Sequence, residues 1–202
     1  MNNRSLKKQE KIAGILDFGI QAFREKGYHS AGVQELADSC GLSKGSFYQY
    51  FQTKENFCQQ VIERYSGKMC SILNELFADD SLTGLSSLKN TYSAMIDMIA
   101  ESSFQCGCLY GDLAAELGGV NEKCSDALKT CIDSTNKIFK EVVQRGQEDG
   151  SIRKDLNADI LAEVTMNSFS GVILKMKVDR SIRAGEQFIT TFLDGMLSSQ
   201  PV

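Results

Sequence analysis

Proline is almost missing from this chain: one residue in 202, at Pro201. Helices can therefore run without the kinks and lost donors that proline imposes. Strictly alternating β-branched clusters are also missing, so an all-α fold is expected. Histidine occurs once, at His29, and neither a CxxC pair nor a glycine-rich phosphate loop is present. These gaps leave an enzyme, such as a thiol oxidoreductase, without support, and no cofactor is expected. Cys106, Cys108, Cys124 and Cys131 lack the paired spacing of a structural zinc site, so no metal is expected either. No run of about 18 apolar residues is present to span a bilayer. The opening MNNRSLKKQEKIAG is polar and unlike a secretory leader, which predicts a cytoplasmic protein. The 7 cysteines form an odd set with no regular framework, as expected of reduced thiols. Basic charge is scarce too: the net charge is −4. It is unevenly spread, with 8 Lys+Arg against 6 Asp+Glu in residues 1–60 and 14 against 20 in residues 61–202. The first part is mildly basic, and Lys7, Lys8, Lys11, Lys44 and Lys54 are candidates to reach phosphates.

Residues 30–57, SAGVQELADSCGLSKGSFYQYFQTKENF, are the most informative stretch. Val33, Leu36, Ala37 and Cys40 make the i, i+3, i+4, i+7 stripe of a short helix. Gly41 follows, where a helix end favours a left-handed residue, and Leu42 plugs the corner. Ser43 is placed as the N-cap of a second helix. That helix buries Phe47 and Phe51 and shows Lys44, Ser46, Tyr48, Gln49 and Gln52 on its other face. A short, rigidly held helix with a small, polar and cationic outer face fits the major groove of DNA. Geometry alone also suits an ordinary helical corner.

The string GLSKGSFYQYFQTKENF closely resembles the signature of the TetR/AcrR family of transcriptional regulators, at Gly41, Ser43, Gly45, Ser46, Phe47, Tyr48, Tyr50, Phe51, Lys54, Glu55 and Phe57. The resemblance implies an N-terminal three-helix helix-turn-helix DNA-binding domain, residues 1–53, and a C-terminal helical ligand-binding and dimerisation domain, residues 54–202. Ser43, Lys44, Gly45, Ser46 and Gln49 are then expected at the DNA, with Gln34 reaching in from the preceding helix. Tyr48, Tyr50 and Lys54 are expected to hold phosphates by family position and by their polar tips. The chain departs from many relatives at Ala31 and Gly32, where a Thr or Ser pair is common, and Ser30 is the candidate replacement cap.

Helical periodicity predicts a first helix over 6–26, ended by Gly27, and a long helix from Thr53 to about Phe77. Five further helices are predicted at 82–102, 108–117, 121–149, 156–178 and 181–198. The last two are apolar on more than one face, with Phe188 and Phe192 beside a stripe of Ile189, Leu193, Met196 and Leu197. That suits either a wide core stripe or an intersubunit four-helix packing. The family resemblance implies a homodimer formed through this pair, reading a near-palindromic operator on double-stranded DNA.

The segment from Cys106 to Leu117, CGCLYGDLAAEL, resembles the G-C-L-x-x-x-L-x-A-E stretch of the NemR/AcuR-like subgroup of that family. In the NemR-like members the cysteine of G-C-L is an electrophile and oxidant sensor, a role the resemblance maps onto Cys108, though the same cysteine occurs in relatives with no known thiol chemistry. A helix N-terminus would stabilise its thiolate, and Cys106 stands two residues away as a resolving thiol. The alternative is a small buried apolar residue. Met95, Met98, Phe104, Tyr110, Met166 and Phe169 suit either plain core or the lining of an inducer pocket, with Glu116, Asn167 and Ser168 as polar anchors. The leading expectation is a ligand-responsive regulator, a repressor released by a small organic inducer. A thiol-sensing repressor acting through Cys108 and a helical interaction protein without DNA binding are the alternatives.

Overall fold

A computed structural model of the chain describes residues 3–105 and 107–199. Among these residues the regular structure is helical. The elements are α1 (Asn3–Ser30), α2 (Val33–Ser39), α3 (Lys44–Phe51), α4 (Lys54–Leu76), α5 (Gly84–Glu101), α6 (Leu109–Leu117), α7 (Glu122–Asp149), α8 (Ala158–Asp179) and α9 (Arg183–Gln187), followed by a π-helical segment, Phe188–Leu197. The expected all-α architecture is present, and its helices fall close to the positions predicted by periodicity.

The chain forms two compact units. One combines Met1–Lys68 with Leu109–Ile132, and the other combines Met69–Cys108 with Asp133–Val202. The long helices α4 and α7 therefore contribute residues to both.

In the first unit, α1 buries Ile15, Leu16, Ile20 and Phe23. Gly19 lies directly beneath Phe57 and Val61 of α4 and leaves room for both. Asp17 accepts two bonds from Arg64, at 3.0 and 3.2 Å, and one from Lys68 at 2.7 Å, fixing α1 along α4. The Arg64 hydrogen bonds hold the Asp17 carboxyl below the ordinary aspartate range. Gly27 breaks α1 with φ 76° and ψ 173°, so the helix resumes for one further turn through Ser30 instead of stopping at residue 26.

In the second unit, Tyr92 of α5 stands at the centre of the core. Its ring lies 5.6 Å from Phe139, 4.6 Å from Phe169 and 5.0 Å from Phe188. Gly84, at the start of α5, approaches α7 so closely that an added Cβ would fall 2.3 Å from the backbone nitrogen of Gly146. Gly84 N donates to Asp149 at 2.7 Å, and Thr83 caps α5 by accepting from Ser86 N at 3.2 Å.

The last helix departs from expectation. Residues 188–197 wind as a π-helix, so the buried set is Phe188, Leu193 and Leu197 rather than the α-periodic Ile189, Leu193, Met196 and Leu197. Met196 is exposed, and Phe192 stacks on Phe188 at 5.2 Å. The wider turn holds more residues, so each side chain advances less far round the axis than α-periodicity assumes, and the buried positions spread to five-residue spacing from Phe188 to Leu193. The end of this segment is pinned by Arg153 N donating to Leu197 O at 3.0 Å and Ser199 N to Ser151 O at 3.0 Å.

Candidate nucleic-acid interface

The turn between α2 and α3 is built from its own backbone. Leu42 N and Gly41 N close back on Ala37 O and Asp38 O at 2.9 and 3.0 Å, with Gly41 at φ 64°. This tucks Leu42 into the corner and satisfies the last carbonyls of α2. Ser43 then caps α3, accepting from Ser46 N at 3.1 Å. The opposite end of α2 is simpler than expected. Its N-cap is Gly32, with no side-chain bond, and Ser30 remains in the last turn of α1. Gly32 holds an extended conformation and its carbonyl accepts from Leu36 N at 2.9 Å, so the helix starts without a hydroxyl cap.

An aromatic cluster holds α3. Phe47 packs 5.1 Å from Phe51 and 5.0 Å from Phe57, Phe51 lies 4.8 Å from Phe57, and Phe23 braces Phe57 from α1 at 5.9 Å. All four rings are buried. Edge-on aromatic packing of this kind fixes a short helix that its own hydrogen bonds would not hold. The opposite face is left free. Ser43, Lys44, Gly45, Tyr48 and Gln49 are exposed, and Ser46 and Tyr50 half-buried. Little stands near the position of a Gly45 Cβ, so a ligand backbone has room to approach there. Gln34 is exposed on α2, where its amide donates to Asp38 at 2.8 Å. Lys11 Nζ lies 5.9 Å from the Tyr50 ring.

Lys54 is placed differently from the other expected contacts. Its ammonium is half-buried, donates to the carbonyl of Tyr28 at 2.6 Å and lies 4.3 Å from the centre of the Tyr28 ring. Burial pulls its pKa below the ordinary lysine value.

Tyr28 is held from the other side by Glu116. The two carboxylate oxygens accept from Tyr28 N at 2.9 Å and His29 N at 2.8 Å. These are the amides freed where α1 breaks, and a carboxylate suits the N-terminal end of the resumed turn. The fit requires Gly27: an added Cβ would lie 2.3 Å from Glu116 Oε1, and the backbone there has positive φ. Glu116, expected as a pocket anchor, thus serves as a clamp on residues 28 and 29. Sequence reasoning missed this role; the nearest signal was the break expected at Gly27.

The remaining expected pocket residues divide. Met95, Phe104, Cys108 and Met166 are half-buried against the core of the second unit, where Phe169 is buried. Met98 and Asn167 are exposed. Tyr110 is buried in the first unit, 4.9 Å from Tyr65. Cys106 lies outside the described residues. Two polar groups not singled out from sequence lie deep in the second unit. The hydroxyls of Thr91 and Tyr92 are buried without a hydrogen-bond partner, and burial raises the Tyr92 pKa. No group of three metal-ligating side chains occurs among the described residues.

Two family models match the chain: "Bacterial regulatory proteins, tetR family" over residues 15–61 and "Tetracyclin repressor-like, C-terminal domain" over residues 84–192. Among curated proteins, the HTH-type transcriptional repressor DhaR of Mycobacterium sp. (strain GP1) is 31% identical, covering 92% of this chain and 91% of its own. The transcriptional regulator AcuR of Cereibacter sphaeroides is 30% identical, over 88% of this chain and 81% of its own. The crystal structure of reduced E. coli NemR superposes with a TM-score of 0.86, covering 96% of this chain and all of that one at 22% identity, a likeness of fold.

The clamp gives a direct test. Glu116→Ala leaves the Tyr28 and His29 amides without their acceptor and is expected to cost on the order of 2 kcal/mol of stability. Glu116→Gln keeps one acceptor oxygen and is expected to cost less. Chemical denaturation measures both, and amide hydrogen exchange at residues 28 and 29 should accelerate most in the alanine variant.

Proposed function

This chain belongs to the TetR family of bacterial regulatory proteins, DNA-binding transcriptional regulators, and we propose that it is a homodimeric repressor released from its operator by a small organic inducer. The observation that carries the reading is α3: a capped helix locked by buried rings, with Lys44, Gly45, Ser46 and Gln49 on one open face. In this reading residues 1–53 bind DNA and residues 54–202 bind inducer and dimerise. Lys44, Gly45, Ser46 and Gln49 face base edges together with Gln34, while Ser43, Tyr48 and Tyr50 hold phosphates. Lys54 acts one step back by fixing Tyr28. The mild basicity of the first 60 residues is doubled in a dimer, which favours phosphate contact despite the net charge.

The dimer surface is proposed on α8. Ile160, Val164, Leu174 and Val178 are 56, 46, 60 and 81% exposed and fall at helical spacing on one side, while Phe169, Ile173 and Met176 are buried on another. Asn167 and Gly171 lie in the same exposed stripe, and Gly171 leaves open space for a close helix approach. An apolar stripe of this length on a free surface calls for a partner, and a second copy gives a closed two-fold assembly. The two-fold axis in turn requires a near-palindromic operator.

The inducer is proposed to enter the core of the second unit beside Tyr92. A buried phenol lacking a partner is costly, and a ligand carrying one polar group on an apolar body would satisfy it among Phe139, Phe169 and Phe188. Such a ligand releases DNA only through its different affinity for the two states of the protein.

Three outcomes are expected. Tyr48→Phe should weaken binding to operator and random DNA alike, whereas Gln49→Ala should reduce the preference for operator; mobility-shift titrations on both DNAs separate the two, and equal losses in both variants contradict the assignment. Replacing Val164 and Leu174 with Glu should give monomers in sedimentation, since the charges would be buried in the interface. Tyr92→Phe removes a buried hydroxyl that has no partner, so unliganded stability should hold or rise by roughly 1 kcal/mol while the inducer response weakens.

A further inference from the structure

The core of the second unit holds two hydroxyls that nothing around them satisfies. Thr91 and Tyr92, neighbours on α5, are each 1% exposed and have no hydrogen-bond partner. The other buried hydroxyls of α5 and α8 are engaged: Ser87 accepts from Arg145 at 2.6 Å, and Thr165 donates to the carbonyl of Leu161 at 2.6 Å. Lysine, arginine, aspartate and glutamate are absent from the buried set of the described residues. The Tyr92 ring lies near-parallel to Phe139, at 28°, and is flanked by Phe169 and Phe188. Burial pushes its pKa up, so the phenol stays protonated and is available as a donor.

We propose that this unit takes an uncharged carbonyl compound, its oxygen accepting from the Tyr92 hydroxyl, and that the π-helical segment Phe188–Leu197 is the element that yields to admit it. The ligand class rests on the reading of this unit as the one that binds inducer. An acceptor is required because the group left over is a donor, and leaving it unpaired in an apolar surround is costly. A charge is excluded because a carboxylate or ammonium would lie among apolar side chains without a counter-ion. That leaves a ketone, aldehyde or ester on a flat apolar body, which the ring faces suit.

The phenol is closed off from solvent, so a ligand reaches it only when one of its neighbours moves. Phe188 belongs to the segment best placed to do so. π-Helices are rare and mostly single turns, yet this one covers 10 residues. Contacts from outside hold it. Gly185 sits against Ile96 just before it, Lys89 Nζ donates to both Asp194 oxygens at 2.8 and 3.0 Å, and Arg153 Nη1 donates to Met196 O at 3.1 Å. At its end, Ser198 N reaches back five residues to Leu193 O at 3.0 Å. Rewinding to the α form turns Phe188 and Phe192, which stack at 5.2 Å, relative to α5 and clears space beside the Tyr92 hydroxyl.

Four probes of similar size test the ligand class. Acetophenone carries a neutral carbonyl, ethylbenzene lacks an acceptor, and benzoate and benzylamine carry opposite charges. Calorimetric titration of the full chain should detect acetophenone at millimolar concentration, ethylbenzene about fivefold more weakly, and neither ion. Tyr92→Phe, checked for folding by circular dichroism, should bind the two neutral probes equally. Amide hydrogen exchange in residues 188–197 should slow with acetophenone, as α-type bonds replace π-type ones. Stronger binding of benzoate or benzylamine, no binding of acetophenone, or a folded Tyr92→Phe variant that still prefers acetophenone or binds neither neutral probe overturns the ligand class. Unchanged exchange across residues 188–197 with acetophenone bound overturns the role of the π-helical segment. Acetophenone that binds as expected and leaves operator affinity unchanged contradicts the inducer reading and leaves the binding site standing.

Discussion

One carboxylate supports the organisation of the N-terminal unit. Breaking α1 at Gly27 frees the amides of Tyr28 and His29, and Glu116 of α6 accepts both. With its amide on Glu116 and its carbonyl on Lys54, Tyr28 is fixed with its ring 5.8 Å from Phe23. Phe23 braces Phe57, and Phe57 carries Phe47 and Phe51 of α3. The position of α3 therefore depends on a run of contacts that starts at a helix far along the chain. An aromatic cluster alone would leave α3 free to adjust as the rings reorient; the fixed backbone at residue 28 removes much of that freedom.

The second unit divides its apolar surface in two. One side of α8 packs on the core around Tyr92, and the other presents Ile160, Val164, Leu174 and Val178 to solvent. Burying one stripe and leaving a second of similar length is costly for an isolated chain and natural for a subunit. The buried hydroxyls of Thr91 and Tyr92 are a further unfavourable feature of the unliganded state. Both features make sense in a protein whose state depends on a second copy and on a ligand.

Much of this was legible in sequence where the signal is local. Gly41, Leu42 and Ser43 mark the turn because left-handed backbone, corner burial and helix capping each select a narrow set of residues. Phe47 and Phe51 mark the buried face because one helical turn separates them. The two apolar faces of α8 were visible as an excess of apolar positions over what one stripe needs. The rest depends on pairings across long stretches of chain. Nothing near Glu116 announces that its partners are the amides of residues 28 and 29, and Lys54 gives no sign that it turns inward to a carbonyl. The π-helical winding of residues 188–197 shifts the buried set without altering the composition from which periodicity is read.

The central claim is that the open face of α3 reads DNA sequence from a two-fold assembly. The most direct measurement is a mobility-shift and footprinting titration of the reduced protein on DNA flanking its own gene, repeated at several salt concentrations. The account predicts a protected near-palindromic site, bound far more tightly than random DNA, with log affinity falling linearly as log salt rises. Equal affinity for the flanking and random DNA, or no retardation at any salt concentration, would contradict it.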